Sequence, residues 1–117
     1  MEQDGAVELY VYYRLPASAL PQALAELQVA HAALRDRWPA LSSRCLQRAP
    51  TCHDNRVAQS AQECDEILTL MEIHHQSGGL DAASVDRICA MLSPWPTARV
   101  GDRHVEVFVA LPASGVL

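Results

Sequence analysis

The stretch that decides the fold is residues 8–38, which reads ELYVYYRLPASALPQALAELQVAHAALRDRW. Its first seven residues are rich in β-branched and aromatic side chains and stop before Pro16, a pattern typical of a β-strand. After Ser18, a candidate N-cap, the apolar residues recur at the spacing of one helical stripe: Leu20, Leu24, Leu27, Leu34 and Trp38. Pro39 then ends the pattern. The stretch predicts a strand followed by a long amphipathic helix.

Three further strands are predicted outside this stretch. Residues 43–48 form a short apolar and polar run, and residues 67–75 form a longer one rich in branched side chains. Between them, residues 49–63 are polar and aperiodic, which predicts a surface loop. In residues 104–111, valine and leucine alternate with polar or aromatic residues, as in a strand with one buried face.

A second helix is predicted after the Gly78-Gly79 turn signal. Asp81 can cap its first turn, and Pro94 can end it. The apolar positions between them follow the spacing i, i+3, i+4, i+7: Val85, Ile88, Cys89 and Leu92.

The element order is therefore β-α-β-β-α-β, the ferredoxin-like arrangement of the α+β class. Right-handed crossovers then predict a four-stranded antiparallel sheet in the order 4-1-3-2, with both helices on one face. An unrelated two-layer α+β sandwich is the alternative. At 117 residues the chain is expected to hold one domain, residues 8–111, between a flexible N-terminus (1–7) and a C-terminal tail (112–117).

Charge and composition narrow the class of partner. Nine Arg, no Lys and fourteen acidic residues leave a net charge of -5, the wrong sign for gripping phosphate backbones, so no nucleic acid partner is expected. No run approaches the length of a membrane span, and Glu2 and Asp4 stand where a signal peptide carries positive charge. We therefore expect a cytoplasmic protein without a membrane partner. The absence of Lys from the composition suggests that the protein is bacterial.

Strand alternation assigns side chains to the two sheet faces. The set expected under the helices is Leu9, Val11, Tyr13, Ile67, Thr69, Met71, Ile73, Val105, Val107 and Val109. The set expected on the helix-free face is Tyr10, Tyr12, Arg14, Leu68, Leu70, Glu72, His74, His104, Glu106 and Phe108. This second set exposes more apolar surface than water favours, which predicts a homodimer that covers it.

The helix-free face also supplies the candidate site. The candidate pocket or interface residues are Tyr10, Tyr12, Arg14, Glu72, His74, His104, Glu106 and Phe108. Carboxylate, imidazole and phenol side by side can move a proton, and an Arg can hold a small anionic ligand. In the alternative interpretation, Arg14 and Glu106 form a cross-strand or inter-subunit ion pair and the tyrosines fill a dimer interface.

Other motifs point away from specific chemistry. Cys52-His53, Cys64 and His74-His75 lack the spacing of a zinc site, so neither metal nor cofactor is predicted. Cys45 and Cys89 fit small buried hydrophobes, whereas Cys52 and Cys64 could oxidise to each other. His31 lies on or beside the apolar stripe of the first helix, which favours a hydrogen-bonded boundary histidine over a catalytic base.

Three segments carry a family resemblance: residues 8–14, 69–73 and 103–108. They resemble the signature stretches of a small betaproteobacterial family, domain-of-unknown-function family 4936, over most of residues 8–111. The resemblance implies a cytoplasmic bacterial protein without an assigned activity. The loop 49–63 and His74-His75 depart from the pattern expected of that family. The fold is also similar to the dimeric α/β-barrel group, which includes cofactor-independent monooxygenases, haem-degrading enzymes and stress-response proteins, and fold does not imply function.

Two hypotheses follow from the sequence. The first is a non-enzymatic dimeric module whose ionisable face residues specify the interface, and the sequence slightly favours it. The second is a site for a small anionic ligand, or a metal-free enzyme, enclosed between two sheets.

Overall fold

The computed structural model describes residues 7–49 and 66–111. Their order is β1 (Val7–Pro16), a 3-10 turn (Ala17–Ala19), α1 (Leu20–Arg37), β2 (Ser42–Gln47), β3 (Ile67–His75), α2 (Ala82–Leu92) and β4 (Val100–Val109). The four strands form one antiparallel sheet in the order β2-β3-β1-β4. This confirms the predicted ferredoxin-like α+β fold and its strand order. The predicted loop and the two termini lie largely outside the described residues.

The two helices begin and end for different local reasons. At α1 the N-cap is Ala19 rather than the predicted Ser18, because the 3-10 turn intervenes and no side chain caps the helix. At α2 the Asp81 carboxylate accepts the Ser84 backbone N–H at 2.7 Å, the predicted cap. No described helix is long and apolar enough to span a membrane.

The hydrophobic core lies between the helices and the inner side of β1. That side of β1 contributes Leu9, Val11, Tyr13 and Leu15, all fully or almost fully buried. The helices contribute a second set, Ala23, Leu27, Ala30, Leu34, Ile88 and Leu92. The prediction for β1 is therefore confirmed, with Tyr10, Tyr12 and Arg14 on the opposite side.

The predicted face assignment of β3 is wrong by one residue. Register pairs Val11 with Glu72 and Tyr13 with Leu70, so these β3 residues point toward the helices, as does His74. The outward side of β3 carries the set predicted to be inward: Ile67, Thr69, Met71 and Ile73. Because both sides of β3 carry apolar as well as polar residues, its sequence has no alternation that shows which side faces the core.

Strand β4 is an edge strand that begins at Val100, earlier than predicted. Gly101 has φ +81°, a left-handed conformation that favours glycine, and the β1 to β4 register shifts nearby. Val105, Val107 and Val109 lie on the helix side as predicted, yet they are 42%, 50% and 56% exposed. The expectation that helices pack on them is wrong, because α1 and α2 cover the middle of the sheet and leave its edge uncovered.

We call the other side of the sheet the open face, because no described helix packs on it. It comprises Glu8, Tyr10, Tyr12, Arg14, Arg44, Leu46, Arg48, Thr69, Met71, Ile73, His104, Glu106 and Phe108.

Candidate functional site

A connected group of polar side chains lies buried between the sheet and α1, centred on Glu72. The Glu72 Oε1 atom accepts hydrogen bonds from His31 Nε2 at 2.9 Å and from His74 Nε2 at 3.0 Å. The Oε2 atom accepts one from the Tyr13 hydroxyl at 2.6 Å. His74 Nδ1 lies 2.7 Å from Ser43 Oγ. We call these five residues the Glu72 cluster.

The topology of the fold brings the Glu72 cluster together. Glu72 and His74 are two residues apart on β3 and therefore point to the same side, toward the helices. Ser43 pairs with His74 across β2 and β3, while Tyr13 comes from the inner side of β1. His31 completes the cluster from the buried stripe of α1. Four separate elements thus supply the cluster.

The cluster holds a buried negative charge at neutral pH. Burial opposes ionisation of Glu72, but hydrogen bonds from His31, His74 and Tyr13 outweigh it and lower the pKa of the carboxyl to about 2. Burial lowers the pKa of His74 despite the attraction of Glu72. Burial, reinforced by the charge on Glu72, raises the pKa of Tyr13 far above its usual value. The Glu72 cluster is therefore an ionised carboxylate that accepts hydrogen bonds from a phenol and from imidazole rings.

The protonation of His74 follows from its partners. A carboxylate can only accept, so His74 Nε2 carries the hydrogen that is shared with Glu72. In the neutral ring Nδ1 then accepts from the Ser43 hydroxyl. Hydroxyl, imidazole and carboxylate form a continuous hydrogen-bonded chain that can pass a proton.

The cluster also offers donor atoms for a metal. The metal-binding atoms of His31, Glu72 and His74 all lie within 4.8 Å of one another, and all three residues are buried. Arg103 is the cation whose charge acts on Glu72. Within the described part of the chain, its buried Nε and Nη2 atoms have no hydrogen-bond partner.

The open face carries a different arrangement, with an aromatic and apolar centre. Tyr12 stacks on His104, with ring centroids 5.0 Å apart, and its hydroxyl donates to Glu106 at 3.2 Å. Tyr10 meets the Phe108 ring edge-on at 5.0 Å. The negative charge of Glu106 raises the pKa of Tyr12, so this phenol stays protonated. Phe108 is nevertheless 52% exposed.

The two ends of the open face differ in charge, with two arginines at one end and two glutamates together with Arg44 toward the other. At one end Arg14 and Arg48 line a pocket of about 380 Å³ together with Thr69, Asp102 and His104. Toward the other end Glu8 and Glu106 line an apolar groove of about 450 Å³ with Tyr10, Met71 and Phe108. Neither arginine forms a salt bridge within the described ranges 7–49 and 66–111.

The predicted site residues separate into two groups. Six of them lie on the open face: Tyr10, Tyr12, Arg14, His104, Glu106 and Phe108. Glu72 and His74 do not join them, because they point to the opposite side of the sheet and are fully buried. The prediction that Glu72 and His74 share the helix-free face with Tyr10 is therefore wrong, and the phenol beside Glu72 is that of Tyr13. A cross-strand ion pair between Arg14 and Glu106 is not formed among the described residues, where Glu106 accepts from Tyr12, and an inter-subunit pair stays a prediction.

Sequence reasoning misses several members of the Glu72 cluster. It places Tyr13 in the core without a polar partner and gives Ser43 no role. His31 is expected to be a hydrogen-bonded boundary histidine, and it is buried with Glu72 as its partner. The signal that could find the cluster is a pair of ionisable residues two apart in an apolar strand, together with a histidine on an apolar helix stripe.

Two cysteines lie among the described residues, and one of them, Cys45, pairs with Glu72 across β2 and β3. Cys45 and Cys89 are partly buried free thiols, and burial raises the pKa of Cys45 to about 11. This supports their prediction as small hydrophobic residues. Cys52 and Cys64 lie outside the described residues.

Comparison with known proteins identifies no family. No protein-family model matches the chain, and no curated protein matches it. The resemblance to domain-of-unknown-function family 4936 stays a prediction.

Solved structures resemble the chain in fold. The de novo designed protein Foldit4 is 11% identical, with 91% of this chain and 97% of that chain covered and a TM-score of 0.52. The de novo designed protein Ferredog-Diesel is 13% identical, with 91% and 89% covered and a TM-score of 0.51. An antibiotic biosynthesis monooxygenase-like protein from Caulobacter crescentus is 12% identical, with 94% and 93% covered and a TM-score of 0.50. At such low identity these similarities support the fold alone.

Proposed function

We propose that the protein is a homodimeric interaction module in which two copies pack their open faces together. The observation that carries this proposal is the apolar surface that the two edge strands expose on that face: Phe108 on β4 is 52% exposed and Leu46 on β2 is 42% exposed. A face of this kind, rimmed by charged residues, is typical of a protein interface.

The charge pattern favours a second copy of the same chain as the partner. Along β1, Glu8 and Arg14 are six residues apart on the same face, which is roughly 20 Å in a strand. We consider two copies related by a two-fold axis that lies in the interface plane, perpendicular to the strands. The strands of the partner then run in the opposite direction. The basic end of one copy, Arg14 and Arg48, then meets the acidic end of the other, Glu8 and Glu106. Such a self-complementary face is what an isologous dimer requires.

Strand β4 supports the same assembly. It is an edge strand, and its valines are half exposed on the helix side while Phe108 is half exposed on the open face. An uncovered edge strand with apolar side chains on both faces is an aggregation hazard unless something covers it. A partner copy packed on the open face would cover Phe108, whereas the valines lie on the other side of the sheet.

The first test introduces a charge on the exposed apolar part of the face. Phe108→Asp should weaken the homodimer by roughly 100-fold or more, because the interface would bury an unpaired carboxylate. Val29→Asp is the matched control, since Val29 is an exposed apolar residue on α1, 68% accessible and away from the face. Sedimentation equilibrium measures both variants and the wild type. A monomeric wild type at micromolar concentration, or a Phe108→Asp variant that dimerises normally, would contradict the proposal.

A second candidate function is binding of a small organic anion at the basic pocket. The observation that favours it is the pair of guanidinium groups, Arg14 and Arg48, beside His104 in a pocket of about 380 Å³. Arginine can hold a carboxylate or phosphate in two-point geometry. In this case the pocket would stay open in the dimer and Arg14 would face a ligand instead of the partner's carboxylate.

Arg14→Met separates the two functions. In a packed ionic interface, the substitution should weaken the dimer by about 2–5 kcal/mol, because an acidic group of the partner loses its cation. In a ligand site, the dimer should persist, while stabilisation by small organic anions is lost. Dimer affinity and thermal shift against a panel of such anions measure the two effects, with Arg35→Met on α1 as the control. If the Arg14→Met variant still dimerises, and small anions stabilise the wild type but not the variant, the second candidate function would replace the first.

Two further inferences rest on the sequence alone. We infer membership of domain-of-unknown-function family 4936 from the segments 8–14, 69–73 and 103–108, and this resemblance implies a cytoplasmic bacterial protein.

A further inference from the structure

We propose that His31, Glu72 and His74 form a binding site for one divalent first-row transition-metal ion of the zinc and ferrous-iron class. The site lies inside the fold, on the opposite side of the sheet from the proposed dimer interface. It is therefore independent of the proposed function. Two imidazoles and one carboxylate are a donor set that both zinc and non-haem iron sites use. Three protein ligands leave further coordination positions of the ion open. Nitrogen donors argue against calcium and magnesium, which prefer oxygen.

The distances within the Glu72 cluster suit a shared ion. Donors bound at about 2.1 Å and separated by 90° to 110° lie roughly 3.0–3.4 Å from each other. Glu72 Oε1 lies 2.9 Å from His31 Nε2 and 3.0 Å from His74 Nε2. The three donor atoms all lie within 4.8 Å, and the His31 and His74 rings meet edge-on with centroids 5.1 Å apart. Rotation of the side chains can bring the two nitrogens to the spacing that an ion requires.

The neighbouring hydroxyls hold the ligands in suitable orientations. Tyr13 bonds to Oε2 of Glu72, which leaves Oε1 facing both imidazoles. An ion at His74 Nε2 requires the ring hydrogen on Nδ1, and Ser43 Oγ, 2.7 Å from Nδ1, can accept it. Metal-bound histidines commonly donate their second ring N–H to such a partner. Ser43 is therefore a positioning residue, whose hydroxyl can serve either tautomer of His74.

The charges in and near the Glu72 cluster determine which further ligand a bound metal ion would favour. Glu72 supplies one negative charge, and the positive charge of Arg103 lies near enough to interact with it. Because the three protein ligands offset one of the two charges of the ion, an anionic ligand at an open coordination position would be favoured. The buried Nε and Nη2 atoms of Arg103, which have no partner within the described residues, are donors available near the cluster.

The test uses the full-length protein after removal of metal with a chelator. Titration with Zn²⁺, and with Co²⁺ followed by its visible absorption, should show one ion per chain bound by nitrogen and oxygen ligands. His74→Gln should lose this ion, with affinity at least 100-fold weaker. His75→Gln is the matched control, because His75 is the next residue of the same strand and points to the other side. It should bind like the wild type.

Two additional variants distinguish the Glu72 cluster from the cysteine thiols as the source of the ligands. The double variant Cys52→Ser, Cys64→Ser removes two thiols and should keep the ion, without a thiolate band in the cobalt spectrum. Ser43→Ala should fold, as monitored by circular dichroism, and should bind about 10–100-fold more weakly, the usual effect of losing a ligand's hydrogen-bond partner. This second readout stands even if His74→Gln fails to fold. A wild type that binds neither ion, unchanged affinity in Ser43→Ala, or loss of the ion in the cysteine variant would overturn the proposal.

Discussion

Glu72→Ala should lower the free energy of unfolding by roughly 3–5 kcal/mol, the range for removing one member of a buried charged pair. Three donors lose their acceptor at once: His31, His74 and the hydroxyl of Tyr13. Each buried donor left without a partner carries a desolvation cost. Urea denaturation in the presence of a chelator measures the effect without any contribution from a metal.

Two comparisons show whether the loss comes from the Glu72 cluster. Glu66→Ala removes an exposed glutamate just before β3 and should change stability by less than about 0.5 kcal/mol. Glu72→Gln keeps the shape and part of the hydrogen bonding, so its loss should lie between the other two. If Glu72→Ala were as stable as Glu66→Ala, the buried network would contribute nothing to the stability of the fold.

Leu27→Ala should destabilise the protein by roughly 2–5 kcal/mol, because it leaves a cavity under α1. Leu24→Ala, three residues earlier in the same helix, should cost less than about 1 kcal/mol, because its side chain already lies partly in water. Both leucines belong to the predicted apolar stripe, yet Leu27 is 2% exposed and Leu24 is 46% exposed. Chemical denaturation of the two variants compares them directly. Equal losses would show that α1 packs on the sheet in a different rotation.

The central strands serve both regions of interest. Strand β3 directs Glu72 and His74 into the buried cluster, and its alternate residues Met71 and Thr69 line pockets on the open face. Strand β1 does the same with Tyr13 inside and Tyr12 outside. A substitution on either strand that alters the register would therefore affect both the cluster and the proposed interface, since a one-residue slip exchanges the two faces.

The elements of the fold could be predicted from local patterns. The helix α2 shows the cap at Asp81 and the apolar spacing that the structure confirms. Strand β3 has the predicted bounds, Ile67–His75. The order of the elements then leaves few topologies, because crossovers between parallel strands are right-handed. Local propensity and the handedness of connections were sufficient for this level of description.

The candidate site could be predicted only in part. On β1 the polar and apolar residues alternate around Tyr12 and Arg14, so the open face was correctly assigned there. On β4 the assignment of His104 and Glu106 to the same face was also correct. What failed was the location of Glu72, because strand alternation predicted that it lies on the helix-free face with Tyr10 and Glu106.

The sequence by itself determined the helices, the strands, their order and the side of β1 that forms the core, since each depends on residues close together in the chain. Only the tertiary structure decided where Glu72 points. Its partners His31 and Tyr13 are 41 and 59 residues away in the chain, so no local pattern links them to it. A carboxylate is tolerated in the interior only when such donors surround it. The pairing of β3 with β1 and the packing of α1 over both strands create that environment.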